Sequence, residues 1–298
     1  MRSLGKEVGK GSTANLIYAA EGAPLDSTLG FFLSGRSAYV SGQVVRIEAA
    51  EAGGSLDGQV AVVTGAARGI GESIAEVLGR EGAHVVCADV PAAGEALAEV
   101  ANRVGGSALQ LDVTADDAPQ RLAGYATERH SGLDVMVHNA GITRDRTLGR
   151  MSEEEWDVLL DVNLSSQERI NDALLGGGAL RRGGRIVGVS SIAGIAGNRG
   201  QSNYGTSKAG VIGMVGSMAP VMREHGGTIN AVAPGFIETA MTARMPFATR
   251  EAGRRLNSLA QGGLPVDVAE TIAWMAAPAS RGVNGNVVRV CGQSLIGA

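Results

Sequence analysis

Residues Gly184–Gly210 read GRIVGVSSIAGIAGNRGQSNYGTSKAG, and this stretch decides how the chain is expected to fold. Its apolar segment Arg185–Val189 predicts a buried strand that ends at Ser191. A glycine-rich loop follows, and a helix is predicted to begin near Asn203. A short apolar strand that leads through a loop into a helix is typical of a parallel α/β sheet.

The predicted helix carries two residues whose side chains could take part in catalysis. Tyr204 and Lys208 lie four residues apart, so both side chains share one helical face. A tyrosine has an unperturbed pKa of about 10, and a neighbouring cation is expected to lower this pKa because it stabilises the phenolate. Ser191, at the end of the preceding strand, is placed to bind a carbonyl oxygen offered to that tyrosine. The alternative is an ordinary pair of surface side chains, and the rest of the chain decides between the two.

Strands and helices alternate from Gly58 onward. Strands are predicted at Val60–Thr64, His84–Ala88, Ala108–Leu111, Leu133–His138, Arg185–Val189, Thr228–Ala233 and Asn286–Val290. The helices between them include Ala92–Val104, Ala118–His130, Glu153–Leu175 and Val266–Ala276, with a polar segment at Glu238–Gln261. Apolar strands separated by helices predict a doubly wound, mostly parallel α/β sheet. Such sheets bind ligands at the carboxyl ends of their strands.

Composition and charge exclude several classes of function. The 298 residues include 45 glycines and only 3% aromatic residues, which predicts an aliphatic core with many tight turns. A formal net charge of -4 argues against nucleic acid as a partner. Cys87 and Cys291 are far apart and the histidines show no ligand spacing, so no disulfide framework or metal site is predicted. Because no apolar run reaches the roughly 18–20 residues that span a bilayer, we expect no membrane span and a cytoplasmic location.

The first 56 residues resemble the end of the same chain. Phe31–Ile47 (FFLSGRSAYVSGQVVRI) aligns without gaps with Trp274–Val290 (WMAAPASRGVNGNVVRV), 243 residues later. An offset of that length matches a whole domain. We therefore expect residues 1–56 to be the remnant of a second, related domain plus a linker, and residues 57–298 to form the nucleotide-binding domain. The alternative is a native N-terminal arm that covers a sheet edge.

A glycine-rich turn follows the strand Val60–Thr64. Gly65, Gly69 and Gly71 lie between this strand and the next predicted helix. Glycines there permit a tight turn and a close approach of the backbone to a pyrophosphate at the helix N-terminus. The turn therefore predicts a dinucleotide ligand.

The choice between the two nicotinamide dinucleotides depends on Asp89. This residue ends the second strand, where a carboxylate can accept hydrogen bonds from a ribose diol and repel a 2′-phosphate. We therefore expect NAD(H) to be favoured over NADP(H). Arg68 argues the other way because it could pair with such a phosphate, and the structural alternative for Asp89 is a cap at the strand end.

Together these motifs resemble the classical short-chain dehydrogenase/reductase family. The matching segments run in order between Asp57 and Ala298: TGAARGIG (Thr64–Gly71), HNAG (His138–Gly141), Val162–Leu164, Ser191, Tyr204-x3-Lys208 and NAVAPGFIET (Asn230–Thr239). His138 stands where the family more often has asparagine. The stretch Asn139–Trp156 is similar to the 3-oxoacyl-[acyl-carrier-protein] reductases, and the N-terminal repeat is similar to their longer, two-domain members. The resemblance implies a Rossmann-like fold and reduction of a 3-oxoacyl thioester by NADH or NADPH.

The resemblance also implies a role for each matching residue. Tyr204 is expected to be the general acid and Lys208 its pKa-lowering partner and a ligand of the nicotinamide ribose. Ser191 is expected to orient the substrate carbonyl, and Asn163 to sustain a water relay to Lys208. Further cofactor contacts are implied for Gly65, Arg68, Gly69, Ile70, Gly71, Asp89, Asp112, Val113, Asn139, Ala140, Gly141, Pro234, Ile237 and Thr239.

Partners are also implied by the resemblance. Arg182 falls where related reductases dock an acidic acyl carrier protein, and Arg181 and Arg185 are nearby. The alternative for this cluster is a solvated surface loop. A homodimer or homotetramer is expected as well.

Two other functions are compatible with the sequence. One is a short-chain dehydrogenase that acts on another alcohol or ketone, such as a sugar or a steroid. The other is a catalytically silent nucleotide-binding scaffold subunit that docks through its N-terminal segment.

Overall fold

The computed structural model describes residues 1–9, 11–51, 53–240, 242–244 and 247–295. The helices are α1 (Arg2–Glu7), α2 (Asp26–Phe32), α3 (Gly69–Arg80), α4 (Gly94–Arg103), α5 (Ala118–His130), α6 (Glu153–Leu160), α7 (Ser166–Gly176), α8 (Ala193–Ala196), α9 (Ser202–Glu224), α10 (Phe247–Arg255) and α11 (Pro265–Ala276). The strands are β1 (Leu16–Ala19), β2 (Val44–Ile47), β3 (Val60–Thr64), β4 (His84–Asp89), β5 (Ser107–Gln110), β6 (Leu133–His138), β7 (Leu180–Val189), β8 (Thr228–Pro234) and β9 (Val287–Val290).

Seven strands form one parallel sheet in the order β5-β4-β3-β6-β7-β8-β9. Every residue of β3, β6 and β8 is buried, as expected for strands that are covered on both faces. The chain runs outward from β3 in both directions, so the strand order reverses between β3 and β6. The predicted doubly wound α/β fold is confirmed, and the reversal opens a crevice at the carboxyl edge of the sheet.

Helices cover both faces of this sheet and bury two aliphatic clusters. On one face, α3 and α11 pack together over Ile74, Leu78 and Ile272. On the other face, α5, α7 and α9 pack over Leu122 and Ile170. Among the described residues no helix is long and apolar enough to cross a membrane.

The N-terminal segment (residues 11–51) adds a smaller parallel pair, β1 and β2, connected through α2. Its buried side chains Phe31, Tyr39, Val45 and Ile47 belong to the same cluster as α3 and α11. The segment therefore shares the core of the larger sheet.

Several predicted boundaries were wrong. The helix predicted at Glu153–Leu175 is interrupted by a π-helical segment, Asp161–Ser165. The segment Glu238–Gln261, predicted only as polar, contains α10. Strand β7 begins at Leu180 rather than at Arg185, since Leu180 already pairs with Leu133 of β6 before the register shifts and Arg185 pairs with Val135.

Candidate active site

The predicted site residues gather at the carboxyl edge of the sheet. Gly65 follows β3, Asp89 ends β4, Asn139 follows β6 and Ser191 lies just beyond β7. Because the strands are parallel, their carboxyl ends meet at one edge. The structure therefore brings together residues that are more than a hundred positions apart in the sequence.

The backbone of the glycine turn lies so close to itself and to the loop after β6 that larger residues would not fit. Gly65 and Gly69 have φ values of 67° and 62°, in the left-handed region that favours glycine. A Cβ on Gly71 would lie 2.0 Å from the carbonyl oxygen of Gly65, and a Cβ on Gly65 would lie 2.9 Å from Cα of Ala140. The turn has no room for side chains at these two positions.

Asn139 joins the glycine turn to the end of β6. Its Nδ2 donates to the carbonyl oxygens of Thr64 and Gly65, each at 3.0 Å. The backbone N–H groups of Asn139 and Ala140 both donate to Oγ1 of Thr64 at 3.1 Å. These four hydrogen bonds hold the Asn139–Gly141 loop against the turn.

The N-terminus of α3 is open toward the crevice. No side chain caps this helix, whose N-cap residue is the exposed Arg68. At Gly69 an added Cβ would meet nothing within 4 Å. Uncapped N–H groups at a helix N-terminus, reached through glycine backbone, form a favourable site for a phosphate. Ile70, the next predicted contact, is half-buried and packs against the adjacent core.

Asp89, the last residue of β4, and Asp112, which follows β5, accept hydrogen bonds from nearby backbone N–H groups. Asp89 accepts hydrogen bonds from the N–H groups of Ala67 at 3.0 Å and Val90 at 2.8 Å, so its carboxylate is fixed beside the glycine turn. Asp112 is exposed and accepts from the N–H and hydroxyl of Thr114 at 2.9 and 2.7 Å, whereas Val113 is buried. Both aspartates thus also have the capping role that the sequence left open for Asp89.

The segment after β8 forms the opposite wall. Pro234 is the last residue of β8, and Ile237 is buried and forms an isolated bridge with Gly263. Thr239 is held by its N–H group, which donates to Oγ1 of Thr242 at 2.8 Å. This wall presents backbone as well as side chains to the crevice.

Tyr204, Ser191 and Lys208 lie together between β7 and α9. The Ser191 hydroxyl accepts a hydrogen bond from the N–H of Ala193 at 3.1 Å, and it is near enough to Tyr204 to act on the pKa of the phenol. Lys208 is buried, with Nζ 5.6 Å from the centroid of the Tyr204 ring, and it donates to the carbonyl oxygen of Val189 at 2.8 Å. The predicted pair is therefore an internal contact, not a pair of surface side chains.

The predicted direction of the Tyr204 pKa was wrong for this geometry. Burial raises the pKa of Tyr204 above 10.0, the hydrogen bond with Ser191 opposes that rise, and Asp145 adds to it. Lys208 is not among the groups that shift this pKa, and its ammonium group donates to the Val189 carbonyl oxygen. Tyr204 is accordingly held in its protonated form.

Asn163 is fully buried in the π-helical segment. Its Oδ1 accepts from the N–H of Ile142 at 2.8 Å, and its Nδ2 donates to Ile142 O at 3.0 Å and to Oγ of Ser207 at 3.2 Å. A Cβ placed on Gly141 would lie 3.3 Å from Asn163 Oδ1 and 3.4 Å from Lys208 Nζ. Asn163 therefore ties the loop after β6 to α9 close to the lysine, and π-helical turns of this kind are frequent at functional sites.

Comparison with known proteins identifies the family of this chain. A family model of the short-chain type, described as "Enoyl-(Acyl carrier protein) reductase", matches residues 65–292. The chain belongs to the short-chain dehydrogenase/reductase family. The 3-oxoacyl-[acyl-carrier-protein] reductase of Vibrio cholerae is 40% identical over 238 residues, which is 80% of this chain and 98% of the relative. That of Pseudomonas aeruginosa is 41% identical over 241 residues (80% and 98%), and the Nodulation protein G of a Rhizobium species is 38% identical over 237 residues (80% and 97%).

The predicted resemblance to short-chain dehydrogenases/reductases is thereby confirmed, and the protein is an oxidoreductase of this family with a nicotinamide cofactor. The geometry of the glycine turn fits such a cofactor, because its backbone is open at Gly69 and uncapped at α3. In the described part of the chain, no group of three His, Cys, Asp or Glu residues could hold a metal ion.

Three supporting residues of this short-chain dehydrogenase/reductase were not predicted. Thr64 holds the Asn139 loop, Ser207 links Asn163 to the carbonyl oxygen of Tyr204 at 2.8 Å, and Ser190 donates to the carbonyl oxygen of Lys208 at 2.7 Å. Each is a small hydroxyl residue directly beside a predicted site residue in the sequence. That adjacency was the available signal, but their hydrogen bonds depend on contacts between distant elements.

The predicted arginine cluster is corrected by the structure. Arg185 is buried within β7 and donates to the carbonyl oxygen of Ala276 at 2.9 Å and to Gln59 at 2.7 Å. Arg181 pairs with Asp134 at 2.5 Å, and Arg182 alone is exposed. All three lie at the amino end of β7, and six residues of strand place Arg185 about 20 Å from Ser191. The arginines do not form one surface patch next to the active site.

The buried lysine predicts a pH dependence of stability. Burial lowers the pKa of Lys208 from 10.5 to about 8. Between these two pH values the unfolded chain binds a proton at this lysine and the native chain does not, so the free energy of unfolding rises with pH in this window. Urea unfolding of the parent and of Lys208→Met between pH 7 and pH 11 measures this effect. The difference between the two proteins is expected to shift in favour of the parent as the pH rises, and a constant difference would contradict the assignment.

Proposed function

We propose that this protein reduces the ketone of a 3-oxoacyl thioester, carried by acyl carrier protein or coenzyme A, to the 3-hydroxyacyl thioester. The observation that carries this proposal is that Tyr204 and the buried Lys208 lie against one another just beyond Ser191, at the same sheet edge as the open glycine turn. The names of the relatives from Vibrio cholerae and Pseudomonas aeruginosa support this substrate class. The corresponding process is fatty acid biosynthesis.

In this proposal the bound nicotinamide supplies the hydride. Tyr204 donates its phenolic proton to the ketone oxygen, where negative charge develops as the carbonyl is reduced. Ser191 accepts a hydrogen bond from Ala193, and on substrate binding its hydroxyl hydrogen would turn from the phenol toward the same ketone oxygen. Lys208 has its ammonium group 5.6 Å from the centroid of the tyrosine ring, where it would bind the nicotinamide ribose.

The other proposed cofactor contacts are assigned from the positions of the residues along the carboxyl edge of the sheet. The Gly65–Gly71 turn and the N-terminus of α3 would hold the pyrophosphate, and the Asn139–Gly141 loop would line the adenosine ribose. Asp112 and Val113 would flank the adenine, and Pro234, Ile237 and Thr239 would hold the carboxamide side. Asn163 would sustain a proton relay toward Lys208, since both approach the same point above Gly141.

A panel of thioesters tests the proposal. Oxidation of NADH and NADPH is followed with acetoacetyl-CoA, longer 3-oxoacyl-CoA substrates and their carrier-protein forms. Simple ketones, a ketosteroid and a trans-2-enoyl thioester serve as comparisons. We expect kcat/KM to be highest for 3-oxoacyl thioesters. Turnover of only the enoyl thioester or only a simple ketone would contradict the proposed substrate, and no turnover of any compound would favour a silent scaffold.

We propose that NADH is favoured over NADPH, because the fixed carboxylate of Asp89 lies beside the glycine turn. Replacing Asp89 by Asn removes the charge and retains an oxygen that can accept from Ala67. We expect the ratio of kcat/KM for NADPH to that for NADH to rise about tenfold in Asp89→Asn, which corresponds to about 1.4 kcal/mol of relieved repulsion. The matched variant Arg68→Gln is expected to lower the same ratio. A parent enzyme with a clear NADPH preference would overturn this choice of cofactor.

Of the three arginines predicted to dock a carrier protein, only Arg182 is exposed. Since it lies at the end of the sheet opposite Ser191, we expect Arg182→Glu to change KM for carrier-linked and CoA-linked substrates by less than about twofold, in line with the small energies of exposed charges. Initial rates with both thioesters measure this. A rise in KM confined to the carrier-linked substrate would instead assign Arg182 to carrier docking.

We also propose that the enzyme forms a homodimer or homotetramer. The exposed face of α9 contains Gly213 and Gly216, over which added side chains would meet nothing within 4 Å. Val158 of the adjacent α6 is also exposed. Small residues on a long helix allow close helix–helix approach, and light scattering gives the assembly state directly.

A further inference from the structure

The N-terminal segment repeats the end of the larger sheet in structure as well as in sequence. With the shift of 243 residues, the single 3-10 turn Gly35–Ser37 corresponds to Pro278–Ser280, and β2 corresponds to β9 with the same bounds. Gly42 and Gly285 also correspond, and their φ values are 73° and 71°. The two segments therefore have the same local conformation.

The agreement extends to an asparagine at the first strand of each unit, outside the aligned stretches. Asn15, just before β1, accepts from the N–H of Gln43 at 3.0 Å and donates to a valine carbonyl oxygen at 3.0 Å. Asn230, in β8, accepts from the N–H of Asn286 at 2.9 Å and donates to the corresponding valine carbonyl at 2.7 Å. Since β1 pairs with β2 in parallel as β8 pairs with β9, the same strand–helix–strand unit is built twice in this chain.

The contacts between the two units are reciprocal. Oε1 of Gln43 accepts from the N–H of Arg289 at 3.0 Å, and Oδ1 of Asn286 accepts from the N–H of Arg46 at 2.8 Å. Gln43 corresponds to Asn286, and Arg46 corresponds to Arg289. An exchange of roles between equivalent residues is the property of an interface with two-fold symmetry.

One pair of equivalent residues lies on this pseudo-two-fold axis. Phe31 corresponds to Trp274, and their rings stack with centroids 4.7 Å apart and planes inclined by only 3°. Both side chains are 2% exposed, and the Trp274 indole donates to the hydroxyl of Thr28 at 3.3 Å. Large aromatic side chains buried at the centre of a contact are typical anchors of protein interfaces.

We propose that α11 and β9 form a self-complementary docking surface, and that the N-terminal segment occupies on it the place of the same unit from a second copy of this fold. The larger sheet ends at β9, and a free edge strand readily recruits a partner. While the N-terminal segment is seated, two copies of the chain do not associate through β9. When the segment is displaced, Trp274 and the β9 edge are exposed and bind the equivalent surface of another copy.

The test compares the full-length chain with a full-length variant in which the N-terminal segment is displaced from α11 and β9 while those two elements are unchanged. Phe31→Arg places a charge in the stack but leaves α11 and β9 intact. Light scattering over a concentration series is expected to show twice the molar mass of the parent for Phe31→Arg. The matched variant Phe31→Arg/Trp274→Arg, which damages both halves, is expected to keep the parent mass. A folded Phe31→Arg with the parent mass at every concentration would overturn the proposal.

A second experiment does not depend on releasing the segment. Because Phe31 and Trp274 occupy equivalent positions, the exchange variant Phe31→Trp/Trp274→Phe is expected to unfold within about 4 °C of the parent. The double variant Phe31→Ala/Trp274→Ala is expected to unfold at a clearly lower temperature. An exchange variant as unstable as the double alanine variant would contradict the two-fold relation and overturn the proposal, including in the case that Phe31→Arg does not fold. Neither experiment depends on the substrate.

Discussion

Replacing Tyr204 by Phe is expected to lower kcat for ketone reduction by about 10²–10⁴-fold, the usual contribution of a general acid. The Tyr204 phenol lies beside Ser191 and Lys208 and stays protonated because burial raises its pKa, so it is available as the proton donor to a ketone bound at this edge. The substitution removes one oxygen and leaves the ring that packs near Lys208. Cofactor affinity, measured by NADH fluorescence, is therefore expected to stay within about twofold of the parent, because the contacts that bind the cofactor before the reaction are retained.

Tyr125 provides the matched control for this experiment. It is partly buried on α5 and contacts His130 rather than the active site. Tyr125→Phe is expected to leave kcat unchanged. If Tyr204→Phe retained more than about a tenth of the parent kcat, well above the loss expected of a general acid, Tyr204 would not be the proton donor. The activity of the parent is also expected to fall only at alkaline pH, because burial raises the pKa of Tyr204 above 10.0.

The positions of the site residues were predictable because they depend on strand ends. Apolar runs located β3, β4, β6 and β7 to within a few residues, with the early start of β7 as the largest error. In a parallel sheet this is enough to place Gly65, Asp89, Asn139 and Ser191 at one edge. The sequence therefore predicted which residues meet, even where it misplaced boundaries.

The environments of individual side chains were not predictable in the same way. Arg185 was predicted to begin a strand and was also placed in a surface arginine cluster, but it lies within β7, where its side chain donates to backbone carbonyls. Lys208 was expected to act on the Tyr204 phenol, yet its ammonium group donates a hydrogen bond to a carbonyl oxygen of β7. The π-helical turn at Asn163 likewise arises from packing between the loop after β6 and α9. Each of these outcomes depends on contacts between elements far apart in sequence.

Replacing Gly71 by Ala is expected to weaken cofactor binding by up to about 10²-fold, which matches the upper end of the roughly 1–3 kcal/mol that overpacking costs. The new Cβ would lie 2.0 Å from the carbonyl oxygen of Gly65 and 2.5 Å from Nδ2 of Asn139. Neither atom belongs to the end of a flexible side chain, since Asn139 is fixed by its two hydrogen bonds to the turn. The turn must therefore move away from α3, and the site that fits a pyrophosphate is distorted.

Gly124→Ala separates this effect from a general response to added methyl groups. Gly124 lies within α5, where a Cβ would meet nothing within 4 Å, so alanine is expected to raise the free energy of unfolding by up to about 1 kcal/mol. Gly71→Ala is expected to lower the same free energy by about 1–3 kcal/mol, as overpacking does. NADH titration and urea unfolding of both variants measure the two effects. Parent-like NADH affinity in Gly71→Ala would show that the dinucleotide does not bind at this turn, and the assignment of the carboxyl edge as the active site would fail with it.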